Sequence, residues 1–121
     1  MSPSVRLDAG LAADLVPGSV RVVAMPPDAA GLRREAIVLR DGSGQIRAYL
    51  NRCQHLPIPL DAGGRAFFSP DGGHLLCRTH GATYQLHDGL CVAGPCIGST
   101  LVALRVELEG ERVAVLLDAI P

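Results

Sequence analysis

The sequence predicts an all-β domain, a small antiparallel β sandwich or barrel. Three observations carry that prediction. Short runs rich in Val, Ile and Leu recur at a spacing of roughly 8–12 residues, as in compact β domains. The 121 residues include 14 Gly and 9 Pro, which punctuate the whole chain. No heptad, internal repeat or sustained helical periodicity appears.

In chain order, residues 7–15 offer one or two helical turns with Asp8 as a cap, the only helical signal of any length. Residues 19–25 (SVRVVAM) read as the first strand, because β-branched side chains suit a pleated surface. Residues 29–34 are too short for a helix and contain Gly31. Residues 35–40 and 45–50 flank Asp41, Gly42, Ser43 and Gly44, a hairpin signal, since Gly and Asp tolerate the backbone angles of a tight reversal. Residues 66–69 and 74–77 flank Pro70, Asp71, Gly72 and Gly73 as a second hairpin. Residues 83–86 lead into a third turn at His87, Asp88 and Gly89. Residues 100–108 and 112–117 flank Glu109, Gly110 and Glu111. In the former, Leu101, Ala103, Arg105 and Glu107 alternate with Val102, Leu104, Val106 and Leu108, the pattern of a half-buried strand.

No linker divides the chain, so residues 1–121 are expected to form a single domain that buries about two-thirds of its extended surface. Hydrophobic residues make up 48% and aromatic residues only 3%, so the core is aliphatic. A net charge of -1 gives no electrostatic reason for a nucleic-acid or anionic-membrane partner. No apolar stretch reaches the roughly 18 residues of a membrane span. The opening MSPSVRLDAG lacks the pattern of a signal peptide. A cytoplasmic location is therefore expected, where cysteines act more often as ligands than as disulfides.

Four residues stand out. Cys53, Gln54 and His55 form a C-x-H, and Cys77, Arg78, Thr79 and His80 form a C-x-x-H; 21 residues separate the two. Each motif follows a strand and enters a loop, so two loops can offer two thiolates and two imidazoles to one site. Zinc would take all four on one tetrahedral ion, whereas a diiron cluster would divide them, two Cys on one iron and two His on the other. Structural zinc sites pair like ligands locally; here each loop supplies one of each kind.

Cys53-x-His55 and Cys77-x-x-His80-Gly81 resemble the ligand loops of Rieske iron–sulfur proteins. Gly81, Ala82, Thr83 and Tyr84, then Asp88, Gly89, Leu90 and Cys91, then Gly94 and Pro95, are similar to the rest of that family's cluster domain. The resemblance runs over residues 46 to 117. It implies a β fold with an inserted cluster-binding subdomain, its loops at about residues 51–98. It also implies one [2Fe–2S] cluster ligated by Cys53, His55, Cys77 and His80, with Gly81, Ala82, Tyr84, Gly94 and Pro95 around them. The spacer between the loops is longer than in compact ferredoxin members, and residues 1–45 match nothing diagnostic.

Respiratory members of the family carry an extra Cys in each ligand loop, joined as a disulfide; neither loop here has one. High-potential members place a Ser two residues after the second His, where this chain has Ala82, and a Tyr four after it, which Tyr84 retains. Losing one donor to a bridging sulfide makes reduction harder, so a low-potential, ferredoxin-type cluster is expected. Mixed ligation leaves the oxidised centre formally neutral and the reduced one with a single negative charge, which favours accepting an electron over a four-thiolate cluster. Leu56, Pro57, Ile58 and Pro59 with Gly94 and Pro95 are expected to form an apolar rim suited to brief docking.

The function implied is a non-catalytic electron carrier. It would take single electrons from a flavin reductase and pass them to a terminal, ring-hydroxylating type oxygenase. The chain is too short to add a mononuclear-iron catalytic domain, and it shows no flavin or nucleotide site. Two alternatives remain at this stage: a small Rieske subunit of a larger reductase such as nitrite reductase, and a zinc-binding interaction module. Cys91 and Cys96 are open to three readings, as loop thiols beside the cluster, a disulfide, or ligands. His74 and His87 suit surface or capping positions.

Overall fold

The structure is a computed structural model and describes residues 5–54, 58–61 and 66–117. Among the described residues nine strands follow one another: β1 (Val5–Leu11), β2 (Arg21–Met25), β3 (Arg34–Arg40), β4 (Ile46–Leu50), β5 (His74–Leu76), β6 (Thr83–Gln85), β7 (Cys91–Ala93), β8 (Ala103–Glu109) and β9 (Arg112–Leu117). A six-stranded sheet has the order β1-β9-β8-β4-β3-β2, and β5-β6-β7 form a second sheet. All pairings are antiparallel, which bears out the expected class. The larger sheet curls into a nearly closed barrel. Its end strands β1 and β2 are bridged by a side chain: the Arg21 guanidinium donates to the carbonyls of Ala9 and Leu11.

The helix expected over residues 7–15 is corrected. Residues up to Leu11 extend along β9, with Leu7 opposite Val115 and Asp8 opposite Ala114, and only Ala12–Asp14 make a 3-10 turn. Pairing with a central strand outweighs a weak local helical preference. Asp8 caps nothing helical; its two carboxylate oxygens accept from Arg112 at 3.0 and 2.6 Å.

The β3–β4 hairpin forms as expected. Asp41 organises its turn: Oδ1 accepts from the N–H groups of Ser43 and Gln45 and from the Ser43 hydroxyl, and Oδ2 accepts from Arg47 Nε at 2.9 Å. Burial pushes this carboxyl up, but those donors outweigh it and hold Asp41 at about 2. A depressed carboxylate stabilises the fold fully above its unfolded value near 4 and loses that contribution as pH falls towards 2. Acid denaturation followed from about pH 5 to about pH 2 should therefore be less steep in Asp41→Asn than in the wild type.

The second hairpin is partial: its first arm contributes only the bridge between Phe68 and Leu75. The alternation in β8 also fades. Leu104 is buried, but Leu108 is 62% exposed at the hairpin tip, beyond the reach of the barrel interior. In β9, Val113, Val115 and Leu117 face the barrel interior. Ala114 and Leu116, on the other face, are nonetheless buried. Their cross-strand neighbours are Asp8 and Glu107, and Arg6 and Arg105. The stems of those long side chains shield them, and Arg6 pairs with Glu107 and Glu109 above.

β4 pairs directly with β8, with Ala48 opposite Leu104 and Tyr49 opposite Ala103. Everything between them, including β5–β7, is thus an insertion that leaves and rejoins the barrel at neighbouring strands. Two cores result. Ala36 and Val38 of β3 face the barrel interior with Ala48, Leu50, Val113 and Val115. Ile37 and Leu39 face the other way, into a second cluster with Tyr49, Leu60, Leu75, Tyr84 and Leu101. This explains why β3 reads as an unbroken apolar run. Tyr49 locks the two parts together by donating its hydroxyl to the Leu86 carbonyl at 2.8 Å, fully buried. Tyr49→Phe leaves that carbonyl unpaired and should cost about 1–3 kcal/mol in denaturant titrations.

Candidate metal centre

Two loops at one end of the insertion carry the sequence-predicted ligands. The first leaves β4 at Leu50. Asn51 staples it: Oδ1 accepts from Leu60 N–H at 2.9 Å, while Nδ2 donates to Glu35 Oε1 at 3.2 Å and Asp61 Oδ1 at 3.4 Å. Cys53 N–H then donates to the Ile58 carbonyl at 2.8 Å, closing a short arc. His55, Leu56 and Pro57 of that arc lie outside the described residues. Asn51 is a site-shaping residue that sequence reasoning missed; a polar amide two residues before a ligand gives no distinctive signal.

The second loop leaves β5 at Leu76. Cys77 N–H donates to the Ala82 carbonyl at 2.8 Å, and Gly81 N–H returns to the Cys77 carbonyl at 2.9 Å. Gly81 has φ +77, which ends this turn in a conformation that favours glycine. Arg78 N–H donates to the Leu60 carbonyl at 2.8 Å, tying the second loop to the first. The exposed Arg78 side chain also donates to the carbonyls of Ala66 and Phe68, both at 3.1 Å.

This tie brings Cys53 and Cys77 side by side, 2% and 0% exposed. Burial pushes the Cys77 thiol up and neighbouring Cys53 adds to that, while the N–H groups of Thr79 and His80, directed at its sulfur, work the other way. His80 is exposed on the same loop. The donor chemistry therefore runs from sulfur inside to nitrogen at the surface. Two buried thiols, Cys77 met by two N–H donors and Cys53 by the Tyr84 hydroxyl, with an imidazole nearer water, fit a cluster with unlike ends. Among the described residues, which do not include His55, no group of three His, Cys, Asp or Glu side chains converges.

Tyr84 closes the floor of the site. Its hydroxyl lies 3.4 Å from Cys53 Sγ and 3.2 Å from Cys96 Sγ, and it accepts from Gln54 N–H at 3.0 Å. Burial pushes this phenol well up, with Cys53 and Cys96 adding to it, so it stays protonated and has one proton to give. The expected contact between Tyr84 and a cysteine sulfur is present. All four cysteines are free thiols, and Cys91 and Cys96 sit together beside Tyr84.

Gly94 and Pro95 belong to a third loop laid on the second. A Cβ at Gly94 would sit 2.7 Å from Ala82 Cα, and its φ is +97. Ala82 is fully buried in that contact, which leaves its side chain no route to solvent. Among the described residues, no helix is long and apolar enough to cross a membrane.

The profile of the Rieske [2Fe–2S] domain matches residues 9–117. The oxygenase component of chloroacetanilide N-alkylformylase from Rhizorhabdus wittichii is 44% identical over 64 residues, which cover 53% of this chain and 17% of that protein. Oxidoreductase NdmD from Pseudomonas putida is 36% identical over 64 residues, 53% of this chain and 10% of that protein. The chain thus aligns with only a small part of these longer relatives. Among solved structures, the ferredoxin of carbazole 1,9a-dioxygenase from Nocardioides aromaticivorans is 26% identical at a TM-score of 0.66, covering 97% of this chain and 100% of that one. The terminal oxygenase of carbazole 1,9a-dioxygenase from the same organism is 23% identical at a TM-score of 0.72, covering 96% of this chain and 31% of that one.

Proposed function

We propose that this chain, which belongs to the Rieske [2Fe–2S] domain family, is an electron carrier of an oxygenase system. In this reading it takes single electrons from a flavin-dependent reductase and delivers them to a terminal, ring-hydroxylating oxygenase. Cys53 and Cys77 would hold one iron of the cluster, and His55 and His80 would hold the other. The observation that carries the reading is the buried Cys53–Cys77 pair, set by two tied loops against the Tyr84 hydroxyl. Similarity to a dioxygenase ferredoxin over nearly the whole of both chains supports the carrier role.

When bound, the [2Fe–2S] cluster supplies reversible one-electron acceptance. The protein's part is to bind and tune it. Cys53 and Cys77 are shielded from water, and N–H groups of the second loop offset thiolate charge. Exposed His80 places the nitrogen end where a partner can approach. Ala82 offers no hydroxyl to the cluster, which would keep its potential low, while the Tyr84 hydroxyl is placed to donate to a ligating Cys53 thiolate.

Anaerobically purified protein should be red-brown, with about two irons and two acid-labile sulfides per chain. On reduction it should give the rhombic paramagnetic signal of mixed His and Cys ligation, and it should reduce a terminal oxygenase when supplied by a flavin reductase. A colourless protein holding stoichiometric zinc overturns the reading. Tyr84→Phe should lower the potential on the order of 50 mV, given that about 59 mV corresponds to a tenfold change for one electron. Protein-film voltammetry reads this shift directly.

A further inference from the structure

Cys91 and Cys96 are the two cysteines that the proposed carrier role leaves unused. Cys91 opens β7 and is buried; Cys96 is half-buried and follows Gly94 and Pro95. Their sulfurs lie 3.3 Å apart as free thiols. Three backbone hydrogen bonds hold the two residues facing each other: Cys91 N–H to Ser99 O at 2.8 Å, Gly98 N–H to Cys91 O at 3.0 Å, and Ser99 N–H to Cys96 O at 3.0 Å. A disulfide needs the sulfurs about 2 Å apart, so an approach of about 1 Å closes it. The Cys96 S–H is aimed at Cys91 Sγ and the Cys91 S–H at the Ala93 carbonyl. The remaining side of Cys96 Sγ meets the Tyr84 hydroxyl at 3.2 Å, and that hydroxyl meets Cys53 Sγ at 3.4 Å.

We propose that Cys91 and Cys96 form a redox-modification site, which hydrogen peroxide converts to an intramolecular disulfide whose closure is relayed to Cys53 through the Tyr84 hydroxyl. The more accessible Cys96 sulfur attacks the peroxide, whose O–O bond breaks. One oxygen stays on sulfur as a sulfenic acid and the other leaves as water with the thiol proton. The Cys91 sulfur then attacks Cys96, the S–O bond breaks, and the hydroxyl departs with the Cys91 proton as a second water. Two thiols are oxidised by two electrons and one peroxide is reduced to two waters.

The relay follows from the single proton of Tyr84. With both thiols reduced, the Cys96 sulfur competes with Cys53 for that proton. Closure draws the Cys96 sulfur toward Cys91, where it becomes a poorer acceptor, and the hydroxyl then donates to Cys53 alone. A better donor on a ligating thiolate favours the reduced cluster and raises its potential. This second half rests on the proposed carrier role; the modification itself does not.

The test uses holoprotein purified without oxygen, treated with a small molar excess of hydrogen peroxide, then denatured in N-ethylmaleimide and cut with trypsin. Cys53 lies between Arg52 and Arg65, Cys77 between Arg65 and Arg78, and Cys91 with Cys96 between Arg78 and Arg105, so each site has its own peptide. The Arg78–Arg105 peptide should lose two hydrogens and take up no maleimide, reversibly with dithiothreitol, while the Cys53 and Cys77 peptides take up one each. In Cys91→Ser, dimedone should trap a sulfenic acid on Cys96; trapping nothing there overturns the order of attack. Full alkylation of Cys91 and Cys96 at peroxide doses that bleach the cluster overturns the site. The bridged holoprotein should have a higher potential than the dithiol form, and Tyr84→Phe should abolish the difference. A bridge that leaves the potential unchanged overturns the relay. If the chain held no cluster, the peptide readout would still decide the modification by itself.

Discussion

Cys77→Ser should yield a colourless protein whose iron content falls from about two per chain to near zero, and Cys53→Ser should do the same. Cys91→Ser and Cys96→Ser should keep full iron and colour. The contrast tests the ligand set, because all four cysteines lie in the same region of the fold and only two are tied together by the ligand loops. Cys77 is fully buried, with its own N–H committed to Ala82 and the N–H groups of Thr79 and His80 directed at its sulfur. A serine hydroxyl there would have to ionise far below its usual pKa to replace a thiolate. Iron assay and the visible spectrum check the result. Loss of iron in Cys91→Ser with retention in Cys77→Ser would reverse the assignment.

Gly94→Val should be the most damaging change outside the ligands. The φ of +97 disfavours any side chain, and a Cβ would lie 2.7 Å from Ala82 Cα and 3.0 Å from Ala82 N. Those are backbone atoms of the second ligand loop, so the clash is relieved only by moving that loop. Backbone strain alone costs about 1–3 kcal/mol, and the displaced packing adds to it. Expected results are a loss of at least about 3 kcal/mol in denaturant stability and poor cluster incorporation. Gly94→Ala should show a smaller loss in the same direction. Wild-type iron content and stability in Gly94→Val would mean that the third loop does not brace the second.

The hairpins and the paired ligand motifs were legible because each is a local pattern. Asp41 with Gly42 and Gly44 encodes its turn within a few residues, and C-x-H with C-x-x-H encodes the donor set. The start of the chain was misread as helical because its structure depends on a distant partner: β1 pairs with β9, on the opposite end of the sequence. The fade of the β8 pattern at Leu108 has the same origin, since a strand's alternation matters only where the barrel covers it.

Sequence by itself determined the class of the fold and the four candidate ligands, written in short-range spacing and residue chemistry, while the place of Tyr84 came through the family resemblance. Tertiary structure alone decided that the region between β4 and β8 is an insertion, that Asn51 and Leu60 bind the two ligand loops together, and that Cys96 touches the Tyr84 hydroxyl. Those contacts join residues nine or more positions apart along the chain. Their positions depend on how two cores pack on the two faces of β3, which no local pattern records.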